Sequence, residues 1–159
     1  MREVFVRHGY GEVMTPTFES LELFTQRSGT EIMDQVYDFK DKGGRDLVLR
    51  PELTAPVMRF FSETLSRGPR PLKLYYFGNC FRYERPQAGR YREFFQLGCE
   101  LIGDVGPMAE AECIGLARHA LRSTGVRSVE LRVGHLGVLR GLLKDLGVPP
   151  EGQRKAMVA

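Results

Sequence analysis

The sequence predicts an α+β fold in which a mainly antiparallel sheet is flanked by helices. Residues 35–40 and 46–50 alternate apolar and polar side chains around a Gly-Gly turn, which is typical of a hairpin. Residues 72–84 and 91–103 are rich in tyrosine and phenylalanine and flank a short loop, which predicts two long antiparallel strands. Residues 108–123 repeat apolar side chains at helical spacing. Strands that pair as hairpins, with helices between them, indicate the α+β class. An α/β fold would instead show strict alternation of strands and helices.

The N-terminal part is predicted to contain a helix, an extended segment and a second helix. Residues 1–9 carry apolar side chains on one side, as the end of a helix does. Residues 12–15 are extended, and the second helix runs from a cap at Ser20 to about Arg27, where Gly29 ends it.

The rest of the chain is predicted to alternate between helices and one more strand. A helix covers residues 54–65, with Thr54 as its cap. After the helix at 108–123, the pattern predicts a strand at 128–133, a helix at 136–146 and another helix that begins at Glu151.

Composition places the chain among globular proteins, with 42% hydrophobic and 27% charged residues. The net charge of +3 is too small to establish nucleic-acid binding. No apolar run approaches the roughly 18 residues that a membrane span needs, and the N-terminus has no secretory-signal pattern. The three cysteines, Cys80, Cys99 and Cys113, include no CxxC pair and are predicted to be free thiols in a reducing cytosol.

Charged and amide side chains are concentrated on the two long strands. Alternation places Arg82 and Glu84 on one face of the first strand, and Gln96 and Glu100 on one face of the second. Burying such a face is costly unless a ligand neutralises it. The sequence therefore predicts a polar binding site on this face of the sheet.

The loop between these strands adds two arginines, Arg85 and Arg90. Arginine forks bind phosphate groups and stabilise developing charge, and Phe94 offers an aromatic face to a base. The alternative is a solvated hairpin whose ions pair with one another. The residues alone leave both interpretations open.

A second cluster lies where a strand ends and a helix begins. Glu52 and Thr54 flank the predicted N-terminus of that helix. They are interpreted either as a capping device or as a carboxylate and a hydroxyl that bind an ammonium group.

Three segments resemble motifs of the class II aminoacyl-tRNA synthetases, and most closely of the histidyl-tRNA synthetases. Residues 9–19 (GYGEVMTPTFE) are similar to the first motif, and residues 50–56 (RPELTAP) to the amino-acid-binding loop. Residues 75–103 (YYFGNCFRYERPQAGRYREFFQLGCELIG) resemble the second motif almost throughout, whereas residues 131–148 match the family only loosely. The resemblance implies the catalytic fold of class II synthetases.

The resemblance also implies an ATP site with catalytic arginines. Arg82 matches the arginine that grips the α-phosphate and the histidine carboxylate, and Arg85 and Arg90 match loop arginines facing ATP, Arg90 being the second catalytic residue. Glu84 matches the residue near the adenine amino group, and Phe94 the aromatic beneath the adenine. Magnesium would bridge the phosphates, with no metal site made by protein side chains alone.

A histidine pocket is implied beside the ATP site. Glu52, Thr54 and Gln96 match residues that hold the ammonium group, and Arg82 is shared with the ATP site. Glu100 matches a carboxylate lining the imidazole pocket. The implied reaction is histidine activation by ATP followed by transfer to tRNA(His).

The chain also departs from the family pattern. A third motif, an Arg-Gly…Tyr-Tyr stretch and an anticodon-binding domain are not found, so residues 1–159 are expected to be a partial catalytic domain. The family implies a cytoplasmic homodimer that uses residues of about 5–19. A regulatory subunit of ATP phosphoribosyltransferase remains an alternative, as does a synthetase-like dimerising or RNA-binding domain.

Overall fold

The structure is a computed structural model that describes residues 1–28, 30–85 and 89–158. The chain divides into two units, Met1–Val126 and a second unit that begins at Arg127. The first unit contains both sheets and all the residues predicted to form the site. Its elements, in chain order, are α1 (Arg2–Arg7), β1 (Gly11–Glu12), β2 (Phe18–Ser20), α2 (Glu22–Ser28), β3 (Tyr37–Lys40), β4 (Asp46–Leu49), α3 (Thr54–Phe60), β5 (Leu72–Phe81), β6 (Glu93–Ile102) and α4 (Pro107–Ser123).

The long hairpin of β5 and β6 forms the first sheet together with β1, in the strand order β1-β5-β6. β5 and β6 pair antiparallel along their whole length, from Leu72 opposite Ile102 to Phe81 opposite Glu93. The predicted antiparallel hairpin is therefore confirmed. β1 adds to the free edge of β5 in parallel, a pairing that the sequence did not predict, because two residues are too few for an alternating pattern.

The second sheet has the order β2-β4-β3 and is antiparallel throughout. The predicted hairpin of β3 and β4 is confirmed, and its turn is held by Asp41, whose Oδ1 accepts the Gly43 and Arg45 N–H groups at 2.8 and 2.9 Å. The prediction of a helix cap at Ser20 is wrong, because Ser20 is the last residue of β2 and pairs with Leu47 of β4. α2 begins at Glu22, and the predicted helix stop at Gly29 falls outside the described residues.

Helices cover both faces of the first sheet. Tyr75 of β5 packs with residues of α1 and α4, among them Phe5 and Leu116. Its neighbours Leu74 and Tyr76 face the other way and pack against α3, where Val57 is fully buried. Covering both faces explains why successive residues of β5 are buried rather than alternately exposed.

The strand that the sequence predicted over residues 72–84 is too long. β5 ends at Phe81, and although the Arg82 N–H still donates to the Arg92 carbonyl, the Tyr83 N–H donates to the Gln35 carbonyl. The chain leaves the sheet at this point because the Tyr83 N–H bonds to a carbonyl outside β6 instead of to the neighbouring strand. Glu84 therefore does not share a strand face with Arg82, which corrects the earlier prediction.

Two later helices are confirmed. The predicted helix at 108–123 is α4, and the predicted helix at 54–65 is α3 followed by a π-helical turn, Phe61–Leu65. A 3-10 helix, Thr30–Gln35, precedes β3 and was not predicted.

The second unit contains two helices, α5 (Leu136–Asp145) and α6 (Pro150–Val158), both predicted from the sequence. The predicted strand at 128–133 is wrong: this segment pairs with none of the strands that the structure describes. Alternating Val and Leu side chains favour an extended backbone, but a strand also needs a neighbour to accept its hydrogen bonds. None of the helices in the described ranges is long and apolar enough to cross a membrane.

Candidate functional site

One face of the β5–β6 hairpin carries most of the predicted site. The antiparallel register puts Gly78 opposite Gln96, Tyr76 opposite Gly98 and Leu74 opposite Glu100. Because side chains alternate along a strand, these positions share one face. The predicted placement of Gln96 and Glu100 together is therefore confirmed.

The N-terminus of α3 is capped by Glu52 and held next to this face by the residue that follows it. Glu52 Oε2 accepts the Thr54 N–H at 3.2 Å and its Oε1 accepts the Ala55 N–H at 2.8 Å. The next residue, Leu53, donates its N–H to Gln96 Oε1 at 2.9 Å. The capping interpretation is thus correct for the cluster, but the carboxylate of Glu52 makes the cap and the Thr54 hydroxyl does not.

Gln96 is held in one orientation by two donors on its amide oxygen. Besides the Leu53 N–H, the Cys80 thiol lies 3.5 Å from Gln96 Oε1. Burial raises the pKa of Cys80 to about 11, so the thiol stays protonated at neutral pH. An ammonium group would reach this oxygen only in place of the weak thiol donor.

The Thr54 hydroxyl meets Tyr76 and Glu100 above the sheet. Thr54 Oγ1 lies 3.1 Å from the Tyr76 hydroxyl, which lies 3.1 Å from Glu100 Oε1. Glu52 and Glu100 are close enough that the charge of Glu52 contributes to a raised pKa at Glu100. This acidic cluster (Glu52, Thr54, Tyr76 and Glu100) is suited to a ligand that donates hydrogen bonds and carries positive charge.

A second group of predicted residues lines an open cleft of about 380 Å³ beyond the end of β5. The lining consists of Arg82, Glu84, Gly89, Arg90, Tyr91 and Phe94. Arg82 Nε donates to the Pro51 carbonyl at 3.0 Å, and its guanidinium carbon lies 5.1 Å from the centre of the Phe94 ring. These two contacts fix the guanidinium at the boundary between the cleft and the acidic cluster.

The ion pairs in the cleft are long. Glu84 lies 4.0 Å from an η nitrogen of Arg82 and 3.9 Å from one of Arg90, beyond hydrogen-bond range. By comparison, the ion pair between Arg59 of α3 and Glu19 of β2 is bidentate, with both N–O distances at 2.9 Å. The geometry therefore favours a site that a ligand completes over a hairpin of mutually neutralised ions.

Arg85 is exposed and does not line the cleft. It is followed by residues 86–88, which lie outside the described part of the chain. Arg50, in contrast, is buried and donates to the carbonyls of Thr15, Pro16 and Asn79 at 2.7–3.1 Å. This arginine holds the segment before Pro51 against the sheet.

Two residues of the site were missed by sequence reasoning, Tyr76 and Tyr91. The register contained a signal for Tyr76, since it lies opposite Gly98, midway between Gln96 and Glu100 on the same face of the hairpin. Gly98 opposite it is a second signal: a Cβ there would lie 2.5–2.6 Å from the Tyr76 hydroxyl and ring. Tyr91 lies before β6, where no alternation exists to assign it a face.

Burial raises the pKa of Glu100 above its ordinary value of 4.5, so the folded state holds this proton more tightly than the unfolded state. Stability from this group is therefore lost as the pH rises from 4.5 through the raised pKa. We expect Glu100→Gln to remove that loss, so the melting temperature of the variant minus that of the wild type increases between pH 4 and pH 7. A melting-temperature difference that does not change with pH would contradict the raised pKa of Glu100.

The fold and the site together define a class II aminoacyl-tRNA synthetase catalytic domain, with a long antiparallel hairpin that carries arginines and acidic residues beside a capped helix. The family model described as Histidyl-tRNA synthetase matches residues 1–159. The chain belongs to the histidyl-tRNA synthetase family.

Individual relatives agree with this assignment. A histidine–tRNA ligase of Methanocaldococcus jannaschii is 54% identical over 155 residues, 98% of this chain and 37% of the relative. The chain thus spans little more than a third of the length of that relative. A Bacillus halodurans structure described as an ATP phosphoribosyltransferase regulatory subunit/histidyl-tRNA synthetase superposes with a TM-score of 0.82 and 32% identity, covering 97% of this chain and 40% of that one. Apo S. aureus histidyl-tRNA synthetase gives a TM-score of 0.65 at 38% identity, covering 79% and 29%.

Proposed function

We propose that the protein to which these residues belong is a histidine–tRNA ligase, which activates histidine with ATP and transfers it to tRNA(His). One observation carries the proposal: Arg82 lines the arginine cleft (Arg82, Glu84, Gly89, Arg90, Tyr91 and Phe94) and also donates to the carbonyl of Pro51, the residue before Glu52 of the acidic cluster. The activation reaction needs this arrangement, because its two substrates differ in charge and must meet at one phosphorus atom.

The acidic cluster is proposed to bind histidine. Glu52 and Thr54 accept hydrogen bonds from the ammonium group, with Gln96 beside them, and Glu100 accepts one from an imidazole N–H. The two carboxylates favour a cationic ligand, and the half-buried position of Glu100 strengthens the attraction.

The arginine cleft is proposed to bind ATP. Arg82 holds the α-phosphate, Arg90 faces the other phosphates, Phe94 lies beneath the adenine and Glu84 accepts from its amino group. Arg85, which is exposed outside the cleft lining, is proposed to turn toward these phosphates when ATP is bound. Magnesium enters with the phosphates of ATP. In the described ranges no three His, Cys, Asp or Glu side chains form a metal site of their own.

The proposed chemistry is a displacement at the α-phosphorus. A histidine carboxylate oxygen forms a bond to the α-phosphorus. The bond from the α-phosphorus to the oxygen that bridges to the β-phosphate breaks, and pyrophosphate leaves with that electron pair. A hydroxyl at the 3′ end of tRNA(His) then attacks the carbonyl carbon and AMP departs. The side chains orient substrates and stabilise charge, as is general for phosphoryl transfer.

Histidine-dependent exchange of labelled pyrophosphate into ATP by the full-length product of the gene tests this function. We expect exchange with histidine and none with the other nineteen amino acids. Exchange with a different amino acid, or none with histidine, would refute the proposal.

A regulatory subunit of ATP phosphoribosyltransferase is the second candidate, because the description of the Bacillus halodurans structure includes that role. A regulatory subunit has no need to retain the arginines of a cleft for ATP chemistry. Activation of an ATP phosphoribosyltransferase without any pyrophosphate exchange would favour this candidate.

Residues 1–159 are further proposed to form part of a catalytic domain in a cytoplasmic enzyme. The length of the relatives supports the first point, since this chain corresponds to 37% of the Methanocaldococcus jannaschii protein. The histidine-binding and ATP-binding residues would then be completed by other segments of the enzyme. We expect these residues alone to form adenylate far more slowly than the intact enzyme.

We propose a homodimer that uses residues of about 5–19. Val6, Met14 and Phe18 are large apolar side chains within this segment that are more than half exposed, and exposed apolar surface is typical of an interface. We expect Met14→Glu to weaken self-association at least about tenfold in sedimentation equilibrium. Val105→Glu, at a similarly exposed apolar side chain outside this segment, should leave it unchanged. A wild-type protein that remains monomeric at high concentration would contradict the dimer.

A further inference from the structure

Tyr76 lies at the centre of the acidic cluster. It is 4% exposed, and its ring covers Gly98 on the neighbouring strand, where no side chain competes for the space. The ring position brings the Tyr76 hydroxyl within hydrogen-bond distance of Glu100 on β6 and of Thr54 on α3.

The directions of these two hydrogen bonds follow from proton counting. An ionised carboxylate only accepts, so the Tyr76 O–H donates to Glu100 Oε1. The hydroxyl has a single proton, so the tyrosine oxygen can only accept at the 3.1 Å contact with Thr54, whose own proton goes either to that oxygen or to Glu100, with which Thr54 also hydrogen-bonds. Burial raises the pKa of Tyr76, so its proton is retained at neutral pH.

We propose that Tyr76 is a positioning residue that makes both Thr54 and Glu100 acceptors toward the amino-acid substrate. With its proton committed to the Tyr76 oxygen or to Glu100, Thr54 presents a lone pair to an incoming ammonium group. With Oε1 tied down by Tyr76, Glu100 presents its second oxygen to an imidazole N–H. The inference rests on the proposed function and adds to it a residue that acts on substrate binding through its hydrogen bonds to Thr54 and Glu100.

Tyr76→Phe in the full-length gene product tests the proposal, because phenylalanine keeps the ring over Gly98 and removes only the hydroxyl. In histidine-dependent pyrophosphate exchange we expect KM for histidine to rise about three- to tenfold. We expect KM for ATP and kcat to stay within about twofold, since Arg82 and Phe94 are undisturbed.

The neighbouring residue supplies a matched control. Tyr75 is 2% exposed, lies on the opposite face of β5 and also donates its hydroxyl to a carboxylate, Glu12 Oε2, at 2.9 Å. Tyr75→Phe should cost similar thermal stability and leave KM for histidine unchanged. An equal rise in KM for the two variants would show that the loss of any buried tyrosine–carboxylate hydrogen bond, rather than the position of Tyr76, is responsible.

A double-mutant cycle decides whether Tyr76 acts through Glu100. In a Glu100→Gln background we expect Tyr76→Phe to have less than half of its effect on KM for histidine, because the partner carboxylate is already gone. Equal effects in the two backgrounds, or an unchanged KM in the single variant, would overturn the inference while the ligase function stands. Absence of histidine-dependent exchange in the wild type would instead refute the proposed function, and this inference with it.

Discussion

Arg82→Ala is expected to lower kcat for histidine activation by about 10²–10³-fold, with a smaller change in KM for histidine. The guanidinium is fixed by the Pro51 carbonyl and by the face of Phe94, so it is preorganised at the boundary between the two proposed subsites. A charge held there contributes most when negative charge develops on the α-phosphate, and therefore stabilises the transition state more than the bound substrate. Pyrophosphate exchange and the melting temperature should be measured on the same preparation.

Arg92→Ala provides the matched control. Arg92 belongs to the same hairpin but stacks on Tyr83 at 4.6 Å and does not line the cleft. We expect near-wild-type exchange from this variant. Arg82→Lys should fall between the wild type and alanine, since lysine keeps the charge and loses the planar fork. If Arg82→Ala lowers the melting temperature while kinetics stay at the wild-type level, Arg82 is an anchor for Pro51 and the site assignment is wrong.

Glu100→Ala is expected to raise KM for histidine by about 10- to 150-fold, whereas Arg82→Ala acts mainly on kcat. That range corresponds to the loss of a hydrogen bond involving a charged group, about 1.5–3 kcal/mol. KM for ATP should change little, because Glu100 is not among the residues that line the cleft. Steady-state exchange with histidine and ATP varied separately measures both constants.

Glu93→Ala is the control for this carboxylate. Glu93 lies on the same strand, accepts a hydrogen bond from Asn79 at 2.9 Å and faces the opposite side of the sheet. Its removal should leave both constants within about twofold of the wild type. A rise in KM for histidine from Glu93→Ala as large as that from Glu100→Ala would indicate a general effect of charge instead of a specific contact.

The sequence by itself determined the hairpin and the face that carries the site. Strand side chains alternate with period two, so the positions of Gln96 and Glu100 relative to each other followed as soon as β6 was recognised. The turn around Asp41 and the helical spacing of α4 were local signals of the same kind. Local patterns of this sort are encoded within a few residues and require no knowledge of distant partners.

Only the tertiary structure decided how these local pieces meet. Glu52 rather than Thr54 caps α3, because the helix begins at Thr54 itself, and the Thr54 hydroxyl instead contacts Tyr76, which lies 22 residues further along the chain. β5 ends at Phe81 because the backbone then bonds to Gln35, and residues 128–133 form no strand with any described neighbour. Each of these outcomes depends on which of several competing hydrogen-bond partners is near in space, and sequence spacing does not contain that information.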